Sequence, residues 1–158
     1  MYEIERKFLL SKFNLTDYAK PVDVGNLAQG YTEDHIRFTE NYSIVTGKAT
    51  NKINFKQGTG LSRLEAQCEI SKDVYDSVWL LTLGHRIFKT RYVFTLQDGL
   101  LLEVDIYKHA KMHPLITAEV EFDSILKANT FDSLVLEPYH MVREVTDDIE
   151  YSNYKLSC

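Results

Sequence analysis

The chain has 158 residues, 44% hydrophobic and 26% charged, which suits one domain with a real core and excludes a disordered polymer. Its net charge of −5 excludes general coating of nucleic acid, which needs a broad basic surface, but permits a local basic pocket. There is no apolar run long enough for a bilayer and no secretory or lipidation motif, so a cytoplasmic protein without a membrane partner is expected, as monomer or homodimer.

Residues 2–10 alternate as a strand, with Glu3, Glu5 and Lys7 on one face and Ile4 and Phe8 on the other. Residues 11–20 read as a short connection with some helix, stopped at Pro21. A weakly patterned strand over 24–32 is followed by a clear one at 35–39, where Arg37 sits with His35 and Thr39; residues 41–45 extend it to the turn at Thr46-Gly47-Lys48. Lys52, Asn54 and Lys56 then share a strand face, and Gln57-Gly58-Thr59-Gly60 turns the chain. The cleanest alternation covers 63–70 and sets Arg63, Glu65, Gln67 and Glu69 against an apolar row in which Cys68 is expected to be buried.

Ser71 is placed to cap a helix that runs to about Leu83, with Val74, Val78 and Leu81 on one stripe and Gly84 as the stop. Tyr75 and Trp79 on this helix are read as packing residues. A strand over 87–96 carries Lys89 and Arg91 opposite Phe88, Tyr92 and Phe94, and Asp98-Gly99 makes a tight hairpin. Its partner carries Glu103 and Asp105, and residues 117–122 repeat the device with Glu119 and Glu121. Ser124 caps a further short helix ahead of a polar, tyrosine-containing tail. His109 and His113 have the spacing of a helical metal pair, but Pro114 and the polar surroundings favour a loop. No domain boundary interrupts residues 1–158.

The charged faces sort by sign. Carboxylates pair at Glu3 and Glu5, at Glu103 and Asp105, and at Glu119 and Glu121, while cations collect at Arg37, at Lys52 and Lys56, and at Lys89 and Arg91. A solubility face usually mixes signs along each strand. Strands of one sign predict separate acidic and basic zones, and closure of the sheet into a barrel would point them into one lumen. Carboxylates that face one another repel unless a hard divalent cation lies between them, which suits Mg²⁺ or Mn²⁺. Neighbouring lysines and arginines offer charge-assisted donors to phosphate oxygens. Such a lumen fits phosphoryl transfer, which asks chiefly for positioning and charge neutralisation; no Walker-type loop and no hydrolase triad is present.

Glu3-Ile4-Glu5-Arg6-Lys7-Phe8 resembles the Glu-x-Glu-x-Lys strand of the CYTH superfamily, the triphosphate tunnel metalloenzymes. The resemblance continues in order through Arg37, Lys56, Arg63 with Glu65, Lys89-Thr90-Arg91-Tyr92, Glu103-Val104-Asp105 and Ala118-Glu119-Val120-Glu121-Phe122, to Glu144-Val145-Thr146 with Asp148, Tyr151 and Asn153. It implies a mainly β fold, a closed antiparallel eight-stranded tunnel with a few covering helices. The implied activity is divalent-metal-dependent hydrolysis of tripolyphosphate, a nucleoside triphosphate or thiamine triphosphate. The family also holds adenylate cyclases, and a binding module without turnover is a further alternative. By position, Glu3, Glu5, Glu65, Glu119 and Glu121 resemble the metal-binding acids, with Asp105 as a supporter. Lys7, Arg37, Lys56, Lys89 and Arg91 resemble the triphosphate-binding cations. Arg63 either joins them or neutralises Glu65 or Glu3, and Lys7 with Glu5 is the expected catalytic pair. The family's pattern is broken at Thr39, where a second arginine is common, and at Gln67, where a second glutamate is common.

Overall fold

A computed structural model describes residues 2–108 and 114–158; the expected His109 and His113 loop lies outside the described residues. The strands are β1 (Tyr2–Leu10), β2 (Asp23–Tyr31), β3 (Arg37–Ser43), β4 (Ala49–Gln57), β5 (Ser62–Glu69), β6 (Arg86–Thr95), β7 (Leu101–Lys108), β8 (Ile116–Phe122) and β9 (Met141–Glu144). Among the described residues three short α-helices accompany them: α1 (Lys72–Trp79), α2 (Ile125–Thr130) and α3 (Asn153–Leu156).

Eight strands close into an antiparallel ring in the order β5-β4-β3-β2-β6-β7-β8-β1, and β1 returns to β5 through Tyr2↔Leu64, Glu3↔Arg63 and Ile4↔Ser62. The first half of β1 makes this closure. Its second half would present an open edge there, and β9 covers it through Phe8↔Glu144 and Leu9↔Arg143. The expected eight-stranded tunnel is therefore the observed fold, with a ninth strand serving as a patch.

Ring closure decides the use of the period-two pattern. Polar rows turn inward and apolar rows outward, so the main core lies outside the barrel. Phe8, Leu102, Val104, Ala118 and Val120 form it, under a cover that brings Ala128 of α2 and Leu136 from the 3-10 turn Ser133–Tyr139. Leu136→Ala should cost about 2–5 kcal/mol, because Leu136 is wholly buried and its removal leaves a void. A urea unfolding midpoint, with the slope unchanged, measures this.

The cover is one-sided. On the outer face of β4 and β5, Phe55 and Leu64 are exposed, and so is Cys68, against expectation. Its strand alternates as read, but among the described residues no helix buries that apolar row. α1 also differs from its predicted form. Ser71 caps it by accepting the Val74 N–H, yet the helix ends at Trp79 and tightens into a 3-10 turn at Leu80–Thr82. Tyr75 is the residue it buries, stacked on Trp79 at 5.1 Å, while Val74 and Leu81 face outward. Among the described residues no helix is long and apolar enough to cross a membrane.

Candidate active site in the tunnel

A cavity of roughly 1250 Å³ occupies the barrel interior and is lined by side chains from all eight ring strands. Glu3, Glu5 and Lys7 of β1, Arg37 of β3, Lys56 of β4 and Arg63 and Glu65 of β5 all face it. Arg91 of β6, Glu103 of β7 and Glu119 and Glu121 of β8 complete the charged lining. Residues as distant in sequence as Glu5, Lys56, Arg91 and Glu121 thus share one space.

Along the β1–β8 seam the register sets Glu5 beside Glu121 and Lys7 beside Glu119. One carboxylate oxygen from each of Glu3, Glu5 and Glu121 lies within 4.8 Å of the others. Burial, followed by the charges of Glu103, Glu3 and Glu5, pushes the Glu121 carboxyl up to about 7. Burial and the neighbouring Glu119 also raise Glu5, although Lys56 and Arg63 oppose them. Burial also opposes ionisation of Glu3, but Lys56 and Arg63 outweigh it and hold that carboxyl below its ordinary value. Three crowded oxygen donors, two of them with carboxyls driven upward, fit a hard divalent cation, which would relieve their repulsion.

Cations border this acid cluster. The Lys56 ammonium donates to both Glu3 oxygens at 2.5 and 2.6 Å, and Arg63 donates to Glu3 at 3.0 Å and also to Glu5. Lys7 pairs with Glu119 at 3.0 Å. Burial opposes ionisation of Glu119, but Lys7 and Arg91 overcome it and hold the carboxyl well below its ordinary range. The Lys7 ammonium is correspondingly raised, burial being outweighed by Tyr107 and Glu119. Arg37 lies 3.5 Å from Glu65, which also accepts from Asn54 at 3.1 Å.

Two expected site residues are not brought to the cavity. Lys89 and Asp105 are completely buried in the wall, where the lysine donates to the aspartate. Asp105 also accepts two bonds from Arg91, both 2.7 Å, so its oxygens are occupied by cations on the side facing the lumen. Burial and then Arg91 depress the Lys89 ammonium to about 8, still charged at neutral pH. Arg91 reaches forward from this base to Glu119 at 3.1 Å and to Glu103. Of the acids expected to bind metal, Glu3, Glu5 and Glu121 form the cluster, Glu3 and Glu5 while also accepting from Lys56 and Arg63; Glu65, Glu119 and Asp105 stand outside it, engaged by cations as well.

Of the Glu103 and Asp105 pair expected to face the lumen, with Asp105 the metal supporter, it is Glu103 that lines the cavity. Both share one strand face, so only the bulk of Arg91 and Lys89 in three dimensions separates an open carboxylate from a covered one. The C-terminal segment, whose Tyr151 and Asn153 belong to the resemblance but carried no expected site role, also reaches the site. Tyr151, Asn153 and Tyr154 line the cavity, with Asn153 accepting from the Tyr107 hydroxyl at 2.6 Å and Tyr154 stacked on His35 at 3.8 Å. The cluster of tyrosines in that tail was its visible signal.

No family model matches the chain. An inorganic triphosphatase from Nitrosomonas europaea is 33% identical over 158 residues, covering 99% of this chain and 97% of the relative. The crystal structure of an inorganic triphosphatase matches with a TM-score of 0.64 and 30% identity, over 98% of this chain and 97% of that one. A protein from Pyrococcus horikoshii shares the fold at 13% identity, with a TM-score of 0.63 over 90% and 92% of the two chains. The closed barrel with acids and cations facing one lumen defines a tunnel-type phosphate-chemistry fold. The chain belongs to the CYTH superfamily, the triphosphate tunnel metalloenzymes.

Proposed function

We propose that this protein is a cytoplasmic triphosphatase that converts inorganic tripolyphosphate to phosphate and pyrophosphate, using Mg²⁺ or Mn²⁺, in a tunnel formed by one domain over residues 1–158. The observation that carries the reading is the junction of the Glu3, Glu5 and Glu121 cluster with the cation row inside one cavity. The relative named as an inorganic triphosphatase, near full length, favours tripolyphosphate over a nucleotide.

Glu3, Glu5 and Glu121 would hold the divalent ion, which when bound supplies Lewis-acid neutralisation of phosphate oxygens. Arg37, Lys56, Arg63 and Arg91 bind the remaining oxygens, exchanging carboxylate partners for phosphate. Arg91 is aimed by Asp105 and Lys89 behind it, so its guanidinium needs little reorganisation when the substrate arrives. Water attacks the terminal phosphorus, the bond to the bridging oxygen breaks, and pyrophosphate leaves. Glu5, a carboxylate facing the cavity, accepts the proton that the water gives up. Lys7 remains protonated beside Glu119 and stabilises charge that builds near the attacked phosphoryl group.

Products separate the rival readings. With tripolyphosphate, ATP and thiamine triphosphate offered in parallel with either metal, phosphate and pyrophosphate should form fastest from tripolyphosphate. Formation of cyclic nucleotide from ATP with tripolyphosphate untouched would assign a cyclase, and intact substrates throughout would assign a binding module. Lys7→Ala should lower kcat about 100-fold while KM changes little, since its interaction strengthens in the transition state. A large rise in KM at unchanged kcat would make Lys7 a simple anchor.

A further inference from the structure

Every strand-borne cation that lines the cavity is tied to a carboxylate, with one exception. Lys7, Arg37, Lys56, Arg63 and Arg91 each lie within 4.0 Å of an acid. Lys52 of β4 also lines the cavity and is half-buried, yet among the described residues it makes no ion pair. Its cross-strand neighbour Glu69 is exposed at the end of β5.

The surroundings of Lys52 are neutral donors and acceptors. Thr39 is its register partner on β3, and Gln29 is the register partner of Thr39 on β2; both are buried and both line the cavity. Gln29 Nε2 donates to Thr39 Oγ1 at 3.4 Å, which leaves the threonine hydroxyl proton free to donate elsewhere. Gln29 Oε1 is buried without a partner among the described residues; as an acceptor it does not serve an anion, and what Gln29 can offer a phosphate oxygen is the second hydrogen on Nε2. An unpaired ammonium beside a free hydroxyl proton matches the oxygens of a phosphoryl group. Lys52 and Lys56 are four residues apart on β4, about 13 Å along an extended strand, so the two cations serve different parts of a bound chain.

We infer that Lys52, with Thr39 and Gln29, forms a second anion subsite that binds the phosphoryl end of the substrate remote from the Glu3, Glu5 and Glu121 cluster. The inference rests on the triphosphatase reading and adds to it a substrate-binding residue that contributes to affinity. It also accounts for Thr39: the arginine the family pattern places there is absent, and the cation comes from the adjacent strand.

The test is Lys52→Met, which keeps the aliphatic stem and removes the charge. Tripolyphosphate titrated calorimetrically into the intact protein without metal should bind the variant about 10- to 100-fold more weakly. With metal, KM for tripolyphosphate should rise by a similar factor while kcat stays within about twofold, and Lys52→Arg should restore most of the loss. The stabilisation of the fold by tripolyphosphate should shrink in Lys52→Met, with the ligand-free melting temperature unchanged. Equal binding by wild type and variant would overturn the subsite alone. A melting temperature lowered without ligand, at unchanged affinity, would make Lys52 a structural partner of Glu69. A wild type that neither binds nor hydrolyses tripolyphosphate would overturn the functional reading and the subsite together.

Discussion

Glu121→Gln is expected to remove metal-dependent turnover, by at least about 100-fold, while leaving the barrel folded. Glu121 makes no ion pair among the described residues and stands within 4.8 Å, oxygen to oxygen, of Glu3 and Glu5, so its charge serves chiefly the cluster, with Lys56 acting on it only weakly. Changes even to groups that only support metal ligands cost 10–100-fold in affinity or activity, and loss of a ligand should cost no less. The same substitution makes a prediction about pH. The folded carboxyl is raised to about 7 from an ordinary 4.5, so between those values the folded state keeps a proton that the unfolded chain has released. Stability of the metal-free protein therefore falls as pH rises from 4.5 to 7, and the variant escapes that loss. Its melting temperature without metal should exceed that of wild type at pH 8 and converge with it near pH 4. Mn²⁺ should then stabilise wild type at pH 8 and not the variant. A variant that melts lower than wild type at pH 8 would make Glu121 an ion-pair partner instead of a metal ligand.

Lys89→Met should act on a different property. Lys89 is completely buried against Asp105, and removing one member of a buried pair typically costs about 3–5 kcal/mol. Asp105 keeps Arg91, which moderates the loss, but the guanidinium then bears the whole aspartate charge and is drawn back from Glu119. We expect a clear drop in the guanidinium chloride midpoint, with a rise in KM for tripolyphosphate secondary to Arg91. Lys52→Met, the same chemical change on β4, three strands around the ring from β6, should lose affinity and keep stability. Reversal of the two outcomes would mean that the wall and lumen assignments are exchanged.

Much of the tunnel was legible because strand periodicity is rigid. Once β1 places Glu3, Glu5 and Lys7 on one face, a closed sheet must send all three to the same side, and the sign-sorted faces of the other strands follow. Lys89 and Asp105 show where this stops. Alternation states which face a residue shares, not how far along the barrel or how deeply it lies. Their depth is set by Arg91 closing over them and by Tyr107, whose ring lies 5.5 Å from the Lys89 ammonium. Cys68 failed for the converse reason, since its face was read correctly but the cover over it depends on where short helices dock. The role of β9 was hidden because Met141–Glu144 is too short to show a period, and it is recruited by the unpaired half of β1.

The central claim is that the acid cluster and the cation row hold one metal-bridged triphosphate between them. Crystals of the Lys7→Ala protein soaked with Mn²⁺ and tripolyphosphate, measured at the manganese absorption edge, test it most directly. The account predicts an anomalous peak in contact with Glu3, Glu5 and Glu121, and phosphate density running from it along Lys56, Arg63 and Arg91. Manganese bound elsewhere with Glu3 and Glu5 still paired to Lys56 and Arg63, or tripolyphosphate held outside the barrel, would contradict it.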